Sequence, residues 1–138
     1  MTAHDYLNQI ADLDESIKTK VLYIGQLKDE AKRTSVKLEG ERVQSSGSKQ
    51  KMANTIVKYV NIEQTELQNL RDRRQAILET MAMLPILEHD VLFKYYVLGY
   101  KLQKIADAYK RSYQWARDKR RNALKLLQNI LDERKENE

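Results

Sequence analysis

Gln114, Arg117 and Arg121, with Tyr113 just before them, recur at three- and four-residue steps, so on a helix they share one face. The chemistry open to such a face is hydrogen bonding to base edges. A carboxamide matches adenine and a guanidinium matches guanine, each as a bidentate partner. Lys101, Lys104, Lys110, Arg111, Lys119, Arg120 and Lys125 surround them and suit phosphate oxygens. Ser112 directly precedes the run, where a hydroxyl caps a helix start and lies within reach of the same phosphates. The charge is concentrated here. Residues 1–100 carry 14 Lys/Arg and 14 Asp/Glu, residues 101–125 carry nine basic residues against Asp107 and Asp118, and residues 126–138 return a net −2. A local excess of that kind fits a polyanionic partner, and it also fits a solvated helix face.

Other chemistry finds little support. His4 and His89 lie far apart, and the chain has no cysteine, so no metal site is expected. Glu88, His89 and Asp90 open a helix, where acids favour the dipole. No glycine-rich loop, nucleophile elbow or carboxylate pair appears, and the chain reads as a non-enzyme without cofactor or small-molecule substrate. No apolar run of about 18 residues is present, so neither a membrane partner nor a membrane location is expected. The expected location is the cytoplasm.

These side chains need a scaffold, and the sequence predicts an all-α one. With one Pro and four Gly in 138 residues, helix breakers are scarce. Residues 84–138 read as one domain of three helices, Pro85 to Leu98, Leu102 to Tyr109 and Tyr113 to Arg134. Gly99 ends the first and Ser112 caps the last. In the stretch Ile105 to Arg117, Ala106 is small where two helices cross, and Lys110-Arg111 form the turn. This is the logic of a helix-turn-helix, whose second helix enters the major groove. Residues 1–83 read as two long amphipathic helices around a loop at 39–50 rich in Ser and Gly. Their seams, expected to serve oligomerisation, hold Ile10, Leu13, Ile17, Ile24 and Leu27, then Ile56, Val60, Leu67, Leu70 and Ile77. Each helix spans about 50 Å, and matched lengths predict an antiparallel hairpin. A lone hairpin buries little, so a homo-oligomer, first of all a dimer, is expected.

Leu84-Pro85, Val91-Leu92, Tyr95-Tyr96, Gly99-Tyr100, Ile105-Ala106, Ser112 and Ala123-Leu124 follow in the order and spacing of sigma-70 region 4, which this third of the chain resembles. The resemblance implies base-reading places at Tyr113, Gln114, Arg117 and Asp118. A Tyr-Lys-Arg turn and the Lys119-Arg120 pair depart from the family pattern. The whole chain resembles small phage and prophage transcriptional regulators of Gram-positive bacteria, the autolysin regulatory and late-gene activator type, on its Tyr6 to Ile17 opening and its sigma-like end. That implies a double-stranded DNA partner, a transcriptional activator and contact with RNA polymerase. Two other readings remain open: a region 4 mimic docking on polymerase or a repressor, and a small terminase-like packaging protein.

Overall fold

A computed structural model describes residues 1–40 and 46–138. Every regular element in it is helical: α1 (Ala3–Gly40), α2 (Ser46–Ile62), a π-helical turn (Glu63–Leu67) leading into α3 (Gln68–Met81), α4 (Ile86–Leu92), a second π-helical turn (Phe93–Val97), α5 (Leu102–Ala108) and α6 (Tyr113–Glu136). Among the described residues there is no strand, and no helix is long and apolar enough to cross a membrane. Of the loop expected at 39–50, Glu39-Gly40 and Ser46 to Gln50 are helical. The remainder of that expectation, residues 41–45, lies outside the described residues.

The chain forms two compact units. The first comprises Met1–Leu13 and Arg73–Glu138, so its limits differ from the boundary expected after residue 83. The reason is the apolar start of α1. Leu7 and Ile10 are fully buried, as are Met81, Val91, Leu92, Ile105, Ala106, Ala116, Ala123 and Leu127. Burying a Leu or Ile side chain stabilises by about 1.5–3 kcal/mol. Polar contacts fix the register of these helices. Thr2 caps α1 through its Oγ1, which accepts from the Asp5 N–H at 3.1 Å. The Ala3 N–H donates to Gln128 Oε1 at 2.7 Å. Thr80, 1% exposed, accepts from Tyr6 Oη at 3.0 Å and from Arg134 at 2.8 Å, and donates to the Ala76 carbonyl at 3.0 Å. A buried hydroxyl with three partners carries little desolvation penalty. The helix expected from Pro85 starts one residue later, with Pro85 just before α4 at ψ 151°, and Ile86 is 82% exposed.

The second unit, Asp14–Asp72, joins part of α1 to α2 and the first π turn. Its two cross-helix ion pairs run in opposite senses, Lys20 with Glu66 at 2.8 Å and Lys28 with Glu63 at 3.5 Å, and Lys58 lies over the Tyr23 ring. These groups are largely exposed, so each ion pair contributes little. Among its described residues Ile24, Leu27, Ala31 and Leu67 are the buried apolar ones, with Ile17 and Leu70 half-buried. Of the expected seam, Ile10, Leu13, Ile24, Leu27, Leu67 and Ile77 are buried, but Ile56 and Val60 are each 36% exposed. The π turn explains the difference. It inserts one residue into the helical repeat, so the inward row reads Thr55, Tyr59, Ile62 before the turn and Leu67, Leu70 after it. An unbroken helix extrapolated back from Leu67 lands on Val60 and Ile56, one position off.

Candidate nucleic-acid interface

The face is built by the passage from α5 to α6. Ile105 and Ala106 of α5 are fully buried, and α5 packs against α6. The C-terminus of α5 closes with two reversed hydrogen bonds, Lys110 N–H to the Asp107 carbonyl at 3.1 Å and Arg111 N–H to the Ala106 carbonyl at 2.9 Å. This pattern requires a left-handed residue between helix and turn. Lys110 takes that place at φ 54°, where glycine would be free of strain. Ser112 then caps α6: its Oγ accepts from the Trp115 N–H at 3.1 Å. Trp115 packs on Tyr109, with ring centroids 5.4 Å apart. Gly99, at φ 74°, turns the chain after the second π turn as its spacing predicted, and the Tyr100 N–H reaches back to the Lys94 carbonyl.

Ala116, Ala123 and Leu127 define the buried side of α6. Gln114, Arg117, Arg121 and Lys125 lie on the opposite, exposed side, and Tyr113, 48% exposed, stands at its start. Asp118 is half-buried and accepts from Gln114 Nε2 at 3.1 Å, so these two expected base-reading residues are tied together. Arg117 and Arg121 have no ion-pair or hydrogen-bond partner among the described residues. Lys101, Lys104, Lys110, Arg111 and Ser112 are exposed around the turn and on α5. Lys104 rests over the Tyr100 ring at 3.9 Å, and Arg111 lies 5.7 Å from the Trp115 ring.

Two expected phosphate contacts point elsewhere. Lys119 pairs with Glu88 at 3.1 Å, and this lysine holds the Glu88 carboxyl below the usual carboxylate range. Arg120 donates to Tyr96 Oη at 3.2 Å and stacks 4.5 Å over Tyr95. Its Nε is buried without a partner among the described residues. Burial pushes the Tyr96 phenol up, against the opposing pull of Arg120. Tyr96 Oη also meets His4 Nδ1 at 2.7 Å, and Asn8 Nδ2 meets His4 Nε2 at 3.0 Å. Lys119 and Arg120 are thus committed within the protein, because they occupy the edges of the apolar stripe running through Ala116, Ala123 and Leu127. That stripe position was a signal available in the sequence. Their partners Glu88, Tyr95 and Tyr96, about 25 to 30 residues away, carried none.

The aromatic residues of this region differ in burial. Tyr96 is 9% exposed, Tyr95, Tyr100, Tyr109 and Trp115 are half-buried, and Tyr113 is out in solvent. No protein-family model matches the chain, and no curated protein or solved structure is found to match it.

Proposed function

We propose that the chain is a sequence-specific double-stranded DNA-binding regulator of transcription, with α5 and α6 as a helix-turn-helix and α6 as the helix that enters the major groove. One observation carries the reading. Seven of the nine basic residues in 101–125 are exposed around α5, the turn and the outward side of α6, and Arg117 and Arg121 on that side have no competing partner among the described residues. Arg117 and Arg121 then read bases, with Gln114 oriented by Asp118. Lys101, Lys104, Lys110, Arg111, Ser112 and Lys125 hold phosphates and set register. The opposed cross-helix pairs of the second unit support an antiparallel hairpin, through which two copies present two reading helices. Control of phage or prophage genes follows from the sequence resemblance and belongs to the same proposal.

The test is selection from a pool of random-sequence duplexes by the purified full chain at low salt. A defined motif should emerge, with affinity that falls steeply as salt rises, because each neutralised phosphate releases counterions. A pool that stays random, with no mobility shift at low salt, overturns the reading.

A further inference from the structure

The outward side of α6 does not stay open along its whole length. Arg117, Arg121, Leu124 and Gln128 follow at steps of four, three and four residues, so they continue one side of the helix. At Leu124 and Gln128, both half-buried, that side meets the start of α1. The Ala3 N–H donates to Gln128 Oε1 at 2.7 Å, and His4 Nδ1 meets Tyr96 Oη at 2.7 Å, which holds the first turn of α1 in place. A groove follows this junction, bordered by Thr2, His4, Arg121, Leu124, Lys125 and Gln128, and no carboxylate among the described residues lines it. Arg121 and Lys125 are exposed and have no partner among the described residues. The other polar groups of the groove are engaged within the protein: Gln128 also donates to Asp132 at 3.0 Å, and both ring nitrogens of His4 have neighbours. Thr2 differs. Its Oγ1 accepts from the Asp5 N–H, and its hydroxyl hydrogen has no acceptor among the described residues.

We infer that this groove holds one phosphate of the duplex that α6 reads, between Lys125 Nζ and the Thr2 hydroxyl, so that the start of α1 belongs to the DNA-binding surface. The inference rests on the proposed entry of α6 into the major groove. Between Gln114 and Lys125 that helix advances about 16 Å, more than the about 12 Å width of the major groove. With its start against base edges, Lys125 therefore stands level with a bordering sugar-phosphate strand. Phosphate oxygens only accept, and the groove offers an ammonium and a hydroxyl that donate. Beyond Arg121 the same side of α6 is covered by α1, which sets a stop. Phosphate contacts fix register, so this stop and the phosphate beside it set how far Gln114 and Arg117 reach towards the bases. His4 is a positioning residue here, because it holds the first turn of α1 through Tyr96 and Asn8.

Binding of the full chain to the duplex motif it selects, and to unrelated duplexes, reads the outcome. Thr2→Asp keeps a capping side chain at the start of α1, so unfolding should stay close to wild type, but it sets a carboxylate beside the phosphate. Affinity should fall about tenfold on every duplex alike. Thr2→Gly, which also suits a helix start but lacks the hydroxyl, should lose about threefold. Ser16→Asp adds the same charge at an exposed position about 21 Å farther along α1 and should bind as the wild type does. Neutral methylphosphonates, placed one at a time in the motif, locate the contact. At one position the replacement should weaken the wild type, leave Lys125→Ala unaffected and improve Thr2→Asp, because the repelled charge is gone. A change that merely disturbed α1 would show no such single position. Wild-type affinity in both Thr2 variants overturns the clamp, as do responses of Lys125→Ala and Thr2→Asp at different phosphates. In either case the reading of α6 stands if Arg117→Ala still loses the selected motif. A chain that selects no motif overturns both.

Discussion

Arg120 and Arg121 are neighbours on α6 and serve opposite environments. Arg120 lies against Tyr95 and Tyr96 with a buried Nε, and beside it Lys119 is bound to Glu88. Arg121, with Gln114, Arg117 and Lys125, faces solvent. The difference teaches that the charge of a window overstates what it offers a ligand. A cation that stacks on aromatic rings or holds a carboxylate cannot leave without exposing what it desolvated. The inward cations set how α6 sits, and the outward ones are available for recognition.

That contrast can be broken at several points. The largest effect belongs to the buried side: Leu127→Ala removes a fully buried side chain and should cost about 3 kcal/mol in denaturant unfolding. On the outward side, Arg117→Ala should leave unfolding within about 0.5 kcal/mol of wild type. It should weaken binding to a selected duplex by about 2 kcal/mol and relax one base position, read by titration of single-substitution duplexes. Equal loss on every duplex would make Arg117 a phosphate contact.

Arg120→Ala should reverse that profile, costing about 1.5 kcal/mol of stability through the lost stacking and the lost hydrogen bond to Tyr96. Arg120→Leu should cost less, because an apolar side chain avoids the buried Nε. Lys110→Gly separates stability from binding at a single residue. It relieves a left-handed lysine and should stabilise by about 1 kcal/mol, while weakening all duplexes alike through loss of a cation. Glu88 supplies the smallest effect, a pH dependence. Its folded pKa lies below the ordinary 4.5, so its pairing with Lys119 stabilises the fold above that value. The contribution is lost as pH falls through the lowered folded value. Thermal melts of wild type and Glu88→Gln should therefore differ near neutrality and converge in acid.

The features legible in the sequence are the local ones. Ser112 caps α6 and Gly99 takes the left-handed turn, because a hydroxyl before a helix and a glycine after one act on their own backbone neighbourhood. The all-α architecture follows from the scarcity of helix breakers and the three- and four-residue apolar steps. The two π turns left no such mark. One extra residue in a turn is set by what packs on either side of it, and the shift it imposes turned Ile56 and Val60 outward. The pairing of Lys119 with Glu88, and of Arg120 with Tyr95 and Tyr96, joins segments distant in the chain, which no periodicity encodes. The same holds for His4, which reaches Tyr96 from the start of α1. For the candidate site, the outward residues were read from helical spacing alone, and the inward pair needed tertiary contacts to be told from them.

The central claim is that the outward side of α6 reads duplex DNA, and the most direct measurement compares wild type with Arg117→Ala on the motif selected from a random duplex pool. The account predicts a salt-sensitive complex for wild type, a variant of unchanged stability, and a loss of at least about tenfold confined to the selected motif. No selected motif, or an Arg117→Ala chain that binds the motif as tightly as wild type, would contradict it.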